Sequence, residues 1–354
     1  FLFAGNAGSD PLDIDRRHIV SVNIDQPGIK SLTPGTGLEW TPAMTGDGKF
    51  IAYISATAQR PPVPAVITAD GKKITLIGEQ LIPATFPKNL VTPEQVKFRS
   101  PDGLTVHAQL FKYSGGPSKK PAIIYIHGGP PRQMLLGWHY SDYYSNAYAM
   151  NQYLASRGFI VLSVNYRLGI GYGFEFHNPE NAGTAGASEY IDIKAAGTWL
   201  ATQPGVDPKR IGVYGGSYGG YLTAMALAKD SDLFVAGVDI HGVHDRTTER
   251  TRSLVSPDRY ERAPDADLAL KVAWESSPIA YMTGWKSPVL VIHGDDDRNV
   301  RFSQSTDLVK RLEKYKVPFE SLVIVDDTHH FMLHSKQMKV NKATAEFFER
   351  KLKP

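Results

Sequence analysis

Residues 210–229 read Arg-Ile-Gly-Val-Tyr-Gly-Gly-Ser-Tyr-Gly-Gly-Tyr-Leu-Thr-Ala-Met-Ala-Leu-Ala-Lys. The apolar run Arg210–Tyr214 predicts a buried strand, and 218–229 predicts a helix. Between them Gly215 and Gly219 flank Ser217 in the pattern G-x-S-x-G, with a further glycine at Gly220. A serine on a sharp turn between strand and helix is held up at the top of a sheet with its hydroxyl exposed. Neighbouring chains pass so close to such a turn that a Cβ on either side of the serine would collide. The helix beneath presents its N-terminus, which favours negative charge developing above it.

The same strand–helix rhythm extends outward from this segment. Short apolar runs at Ala122–His127, Phe159–Asn165, Val235–Ile240, Pro288–His293 and Ser321–Val325 lack alternation, as strands buried on both faces do. Helical patterns lie among them at roughly 143–157, 187–203, 303–316 and 335–352. Leu104–Phe111 alternates and follows the turn Ser100-Pro101-Asp102-Gly103. The fold class is therefore α/β, a mostly parallel central sheet with helices on both faces. Reacting groups in such sheets sit at the carboxyl ends of strands. Residues 1–93 read differently, as short alternating β segments such as His18–Ile24 and Phe50–Ile54. The unit Gly46-Asp47-Gly48-Lys49-Phe50-Ile51-Ala52-Tyr53 has the turn-plus-strand texture of a β-propeller blade. The expected division is 1–93, a small β segment, and 94–354, the α/β domain.

A serine hydroxyl needs a neighbouring base, and the base an acid to orient it. On a strand–Ser–helix turn the chain order is Ser, acid, His. After the strand Pro288–His293 come Asp295, Asp296 and Asp297, and spacing does not choose among them. After the last strand come Asp326-Asp327-Thr328-His329-His330, where His329 and His330 are both candidates for the base. The acidic turn lacks the further ligands and the Glu of an EF-hand. His330 and His334 lack the intervening Glu of a zinc motif. No metal and no cofactor is expected. Gly128 and Gly129, after the first core strand, free backbone N–H groups to meet a substrate oxygen, with the N–H of Tyr218 as the second donor. The aromatic stretch Trp138–Tyr148 is either an interface or a buried helix face.

Composition narrows the function classes. Over 354 residues, 42% are hydrophobic and 21% charged, which supports a sizeable core and excludes wholesale disorder. Lys and Arg number 39 against 36 Asp and Glu, and a net charge of +3 gives no reason to expect a nucleic-acid partner. No apolar run approaches a membrane span. The absence of cysteine excludes disulfides, thiolate metal sites and cysteine nucleophiles. A cysteine-free chain beginning at Phe1 leaves the compartment undecided, leaning towards a bacterial periplasmic or secreted protein with a cytoplasmic one as the alternative.

Taken together, His127-Gly128-Gly129-Pro130, Gly215-Gly216-Ser217-Tyr218-Gly219-Gly220, His293-Gly294-x-x-Asp297-x-Asn299-Val300 and Asp326-Asp327-Thr328-His329 resemble the prolyl oligopeptidase family of serine peptidases. Asn165-Tyr166-Arg167 and Gly186-Ala187-Ser188-Glu189-Tyr190 fit the same resemblance, which covers residues from about 90 to 354. It implies an α/β-hydrolase fold. It implies Asp297 as the acid and His329 as the base, although His330 stands where the family commonly has Gly. It also implies that Asn299 contacts a substrate carbonyl and that Val300, Tyr218 and Val243 line the pocket for the residue before the scissile bond. Val243-His244-Asp245-Arg246 lacks the aromatic wall of proline-specific members. The implied activity is hydrolysis of short peptides through an acyl-enzyme, as an exopeptidase of the dipeptidyl- or acylaminoacyl-peptidase type. The alternatives are a carboxylesterase on the same fold or an inert binding scaffold. Residues 1–93 would be the last portion of the family's β-propeller, and the remainder of a propeller or a second copy of the chain are the partners to expect.

Overall fold

The computed structural model describes residues 1–8, 10–248 and 265–353. The chain divides into two compact units. The first comprises Phe1–Val96, Gln109–Tyr113 and Gln133–Arg157; the second comprises Lys97–Ala108, Ser114–Arg132 and Gly158–Pro354.

The first unit is antiparallel β. Strands β1 (Leu2–Gly5), β2 (His18–Val22) and β3 (Ile29–Ser31) form one sheet in that order. Strands β4 (Leu38–Met44), β5 (Phe50–Ala56), β6 (Val63–Thr68) and β7 (Ile74–Leu76) form a four-stranded meander. Its outer two hairpins use one device twice. In Thr45-Gly46-Asp47-Gly48-Lys49, Asp47 Oδ1 accepts from the Thr45 hydroxyl at 2.7 Å and the Lys49 N–H at 3.1 Å. In Thr68-Ala69-Asp70-Gly71-Lys72, Asp70 Oδ1 accepts from the Thr68 hydroxyl at 2.6 Å and the Lys72 N–H at 3.1 Å. Gly48 and Gly71 follow with φ of 70° and 81°, where a side chain would be strained. Helix α1 (Asp142–Ser156) also belongs to this unit. Tyr144 and Tyr148 are buried in it, and the Tyr148 hydroxyl donates to the Ala58 carbonyl at 2.7 Å. Of the two readings of Trp138–Tyr148, these tyrosines follow the buried helix face.

The remaining sheet has eight strands, the last six of them in sequence lying wholly within the second unit. Its strands are β8 (Glu94–Arg99), β9 (Thr105–Phe111), β10 (Lys120–Ile126), β11 (Ile160–Asn165), β12 (Val206–Gly216), β13 (Ala236–Ile240), β14 (Val289–Gly294) and β15 (Phe319–Ile324). Their order is β15-β14-β13-β12-β10-β11-β9-β8, and the pairings among β10 to β15 are parallel. Among the described residues the helices of the second unit include α2 (Phe174–His177), α3 (Tyr190–Ala201), α4 (Tyr218–Lys229), α5 (Ala266–Glu275), α6 (Ser303–Lys314) and α7 (His334–Leu352). This is the α/β-hydrolase arrangement the sequence predicts. From β10 the chain passes to β11 on one side and then to β12 on the other, so the order reverses between β10 and β12. A crevice opens at the carboxyl ends of the strands at such a point. Gly128, Gly129 and Ser217 are the residues that follow these two strands.

β12 begins at Val206 rather than at Arg210, because Val206 pairs with Lys120 across a register shift. Charged residues there read as loop, and the partner strand overrides that composition. Arg167, just after β11, donates from its N–H and Nε to Asp192 Oδ2 at 2.9 Å each and from Nη2 to Oδ1 at 2.7 Å. Both residues are buried, and Asp102 bonds the outer side of the guanidinium. Removing one partner of a buried pair costs about 3–5 kcal/mol. Asp192→Ala is expected near the low end, about 3 kcal/mol, because Asp102 still faces the cation. A shift of the urea midpoint measures it, and an unchanged midpoint would refute it.

Candidate active site

The turn after β12 has the form read from the sequence. Ser217 sits between β12 and α4 with φ 60° and ψ −119°. That conformation costs a non-glycine residue on the order of 1–3 kcal/mol. Two backbone hydrogen bonds hold it: Ser217 N–H to the Ile240 carbonyl at 2.9 Å, and Tyr221 N–H to the Ser217 carbonyl at 3.0 Å. The flanking glycines are required by the end of β10. A Cβ on Gly215 would lie 2.4 Å from the Ile126 carbonyl oxygen, and one on Gly219 would lie 2.1 Å from it. Because the obstacle is backbone, it cannot swing aside. Gly219→Ala is expected to lose about 3 kcal/mol, the upper part of the usual cost of overpacking. The urea midpoint reads this, and a midpoint equal to wild type would disprove the close approach.

The three carboxylates after β14 separate by burial. Asp295 and Asp296 are exposed, while Asp297 is buried. Asp297 Oδ1 accepts from the N–H groups of Asn299 at 2.8 Å and Val300 at 2.9 Å. Its Oδ2 meets His329 Nδ1 at 2.6 Å and His293 Nε2 at 3.1 Å. Burial opposes the charge on Asp297. The hydrogen bonds from His293 and His329, together with the Val300 N–H, outweigh that and hold its carboxyl far below the usual carboxylate range. Asp295 does a different job: its Oδ1 accepts the Asp326 N–H at 2.8 Å, tying the loop after β14 to the loop after β15.

The two histidines after β15 separate in the same way. His329 is buried against Asp297, and His330 is exposed. With Nδ1 donating to the carboxylate, His329 presents the lone pair of Nε2 as its free acceptor. Ser217, at the end of β12, reaches the same sheet end through Ile240, the last residue of β13. Among the described residues no hydrogen bond joins the Ser217 hydroxyl to His329.

Gly128, buried, and Gly129, exposed with φ 118°, lie beyond the end of β10. Tyr218 opens α4, where the first N–H groups of a helix have no partner within it. Its hydroxyl donates to Glu189 Oε1 at 2.7 Å, and Glu189 Oε2 accepts the Gly183 N–H at 3.0 Å. Burial and then the Glu189 charge push the Tyr218 phenol well above its ordinary range. Asn299 is exposed, whereas Val300 and Val243 are buried.

Three residues of this neighbourhood went unassigned in the sequence reading. His293 fixes Asp297 from the far side, and its Nε2 also lies 3.0 Å from the Val300 carbonyl. A carbonyl only accepts, so Nε2 carries the proton and Nδ1 faces the Ser305 hydroxyl at 2.7 Å. Glu189 anchors Tyr218. His241, the residue after β13, is fully buried with its ring centroid 4.1 Å from that of His329. The signal that marks His241 in the sequence is its place at the carboxyl end of β13, where reacting groups gather in such sheets. Among the described residues His241, Asp297 and His329 also offer ligand atoms within 4.8 Å of one another. Asp297 and His329 are already bonded to each other, so an ion there would have to break that bond.

Residues 145–354, more than half of the chain, match the prolyl oligopeptidase family. This chain belongs to that family, a family of serine peptidases. Among its members the chain is 31% identical over 236 residues to dipeptidyl aminopeptidase BIII of Pseudoxanthomonas mexicana, a match spanning 64% of this chain and 32% of that protein. It is 25% identical over 340 residues to the acylamino-acid-releasing enzyme of Mus musculus, covering 90% of this chain and 45% of that one. The uncomplexed acylaminoacyl peptidase of Pyrococcus horikoshii superposes with a TM-score of 0.75 at 25% identity, over 96% of this chain and 53% of that chain. The chain thus spans between a third and about half of these family members' lengths.

Proposed function

We propose that this chain hydrolyses short peptides as a serine peptidase of the dipeptidyl- or acylaminoacyl-peptidase type. The observation that carries the reading is the 2.6 Å Asp297–His329 pair at the sheet end where the Ser217 turn stands. Ser217 Oγ attacks the scissile carbonyl as His329 Nε2 takes its proton. Asp297 keeps the imidazole in the tautomer that leaves Nε2 free and stabilises the imidazolium that forms. The N–H groups of Tyr218 and of Gly128 or Gly129 receive the oxyanion. His329 then returns the proton to the leaving amine, an acyl group remains on Ser217, and water releases it. Asn299 contacts a substrate carbonyl, and Val300, Tyr218 and Val243 line the pocket for the residue before the cleaved bond. The exposure of Asn299 beside the acid loop supports its part. In the first unit, β4 to β7 have the strand count of a propeller blade. Phe1, Ile24 and Leu81 are each more than 75% exposed there, as suits a part of a propeller whose other blades would cover them.

Labelling with a fluorophosphonate followed by peptide mapping tests the nucleophile, beside a panel of chromogenic dipeptide amides, blocked amino-acid amides and esters. Labelling at Ser217 with cleavage of free-amine dipeptides supports a dipeptidyl peptidase, and cleavage of only blocked amides supports the acylaminoacyl type. Hydrolysis of esters alone would replace the peptidase by a carboxylesterase. Absence of labelling would leave an inert domain and overturn the proposal.

A further inference from the structure

His241 has no step in this hydrolysis, yet among the described residues it is the side chain whose ring lies closest to that of His329. It follows β13, the strand between the one that ends just before Ser217 and the one leading to Asp297. Its ring faces the His329 ring with centroids 4.1 Å apart and planes 33° from parallel. Phe331 lies 5.3 Å away, and His293 meets it at 6.0 Å with planes at 69°. The backbone bends to put it there. His241 has φ 42°, in the left-handed region, while its N–H donates to the Ile292 carbonyl at 2.7 Å. A residue with a Cβ keeps that conformation only where its surroundings impose it.

One hydrogen bond does not fix an imidazole. The bond from Nδ1 to Asp297 sets one direction in the ring plane and leaves the ring free to rock about that bond. Nε2 lies off this axis, so its lone pair swings with the rocking. A flat group laid against the face of the ring removes that motion. Resting on the assignment of Ser217 and His329 above, we propose that His241 is a positioning residue for the base, holding the plane of the His329 imidazole so that Nε2 points to the Ser217 hydroxyl. Burial, and then the fields of His329 and His293, keep His241 well below its usual protonation range, so the proton His329 accepts meets a neutral ring.

The variants are His241→Ala, which removes the face, and His241→Phe, which keeps a face without ring nitrogens. Displacing a reacting group by about 1 Å costs on the order of 10²-fold. His241→Ala is expected to lower kcat and the fluorophosphonate labelling rate by about tenfold to a hundredfold, with KM within about twofold. His241→Phe is expected to recover labelling to within about threefold of wild type, and thermal melts establish that both variants are folded. In proton NMR, the His329 ring signals are expected to broaden and move in the alanine variant and to stay sharp in the phenylalanine variant. Wild-type labelling rates for His241→Ala would overturn the inference, as would a phenylalanine variant as slow as the alanine one. If the wild-type protein does not label at Ser217, the nucleophile assignment fails by itself. The His329 ring signals then decide: unmoved signals in His241→Ala overturn the positioning role, and broadened signals uphold it.

Discussion

Ser217→Ala is expected to lower kcat on a peptide amide by a factor of about 10⁶, the scale of losing the nucleophile of a serine triad. The fold should hardly register the change. Ser217 has φ 60° and ψ −119°, and alanine meets the same steric limits there as serine, so the local cost is carried over unchanged. The two hydrogen bonds that hold the turn use the Ser217 backbone, and α4 continues from it whichever side chain is present. The urea midpoint is therefore expected to stay within about 0.5 kcal/mol of wild type, the range of substitutions that remove no packed group. Activity and denaturation on one preparation check both halves. Retained activity would remove Ser217 from the mechanism, and a large loss of stability would make the missing activity uninformative.

Asp297→Asn is the second large effect, a loss of about 10⁴ in kcat. The argument is one of donors and acceptors. Asparagine can still offer an oxygen to the N–H groups of Asn299 and Val300, which leaves its NH₂ facing His329 Nδ1. Two donors then oppose each other, His329 moves its proton to Nε2, and the lone pair needed by Ser217 is gone. Stability responds as well. The folded protein holds Asp297 below the ordinary carboxylate value of 3.8, so its stabilisation is complete above that pH and is lost as pH falls below it. The wild-type urea midpoint is expected to fall more steeply below pH 4 than that of the asparagine variant, which has no carboxyl to protonate there. Parallel midpoints across that range would show that Asp297 gains nothing from folding, and unchanged kcat would remove it from the triad.

The sequence made the centre of the α/β unit legible because its strands are apolar on both faces and its turns are punctuated by glycine. The Ser217 turn carries its own explanation: Gly215 and Gly219 are small because the Ile126 carbonyl is there. Strand β8 and helix α5 were not read, since Glu94–Arg99 is mostly polar and partly exposed, and Ala266–Glu275 buries few residues. The choice among Asp295, Asp296 and Asp297 was not available from spacing, because consecutive residues differ only in where the turn points them. The resemblance selected Asp297, and the structure gives the physical difference: Asp297 turns inward onto two imidazoles while Asp295 bridges to the Asp326 backbone. His241 is legible by the rule that points to Ser217, Asp297 and His329, since it too follows the carboxyl end of a core strand, β13.

The sheet order carries one consequence for how the site is lost. β15, the strand that leads to His329, lies at one edge of the sheet, with β14 as its single strand neighbour and with several residues partly exposed. Ser217 stands at the opposite extreme of protection, directly after β12 near the middle of the sheet. Opening free energies within one fold range from almost nothing at frayed edges to the full value in central strands. Under mild denaturation His329, the proposed base, can therefore part company with Ser217, the proposed nucleophile, while the central strands are still paired, so a protein that is folded by most spectroscopic measures is expected to have lost its activity already. The bridge from Asp295 to Asp326 and the Glu320–Arg350 ion pair to α7 are the fastenings that delay that parting.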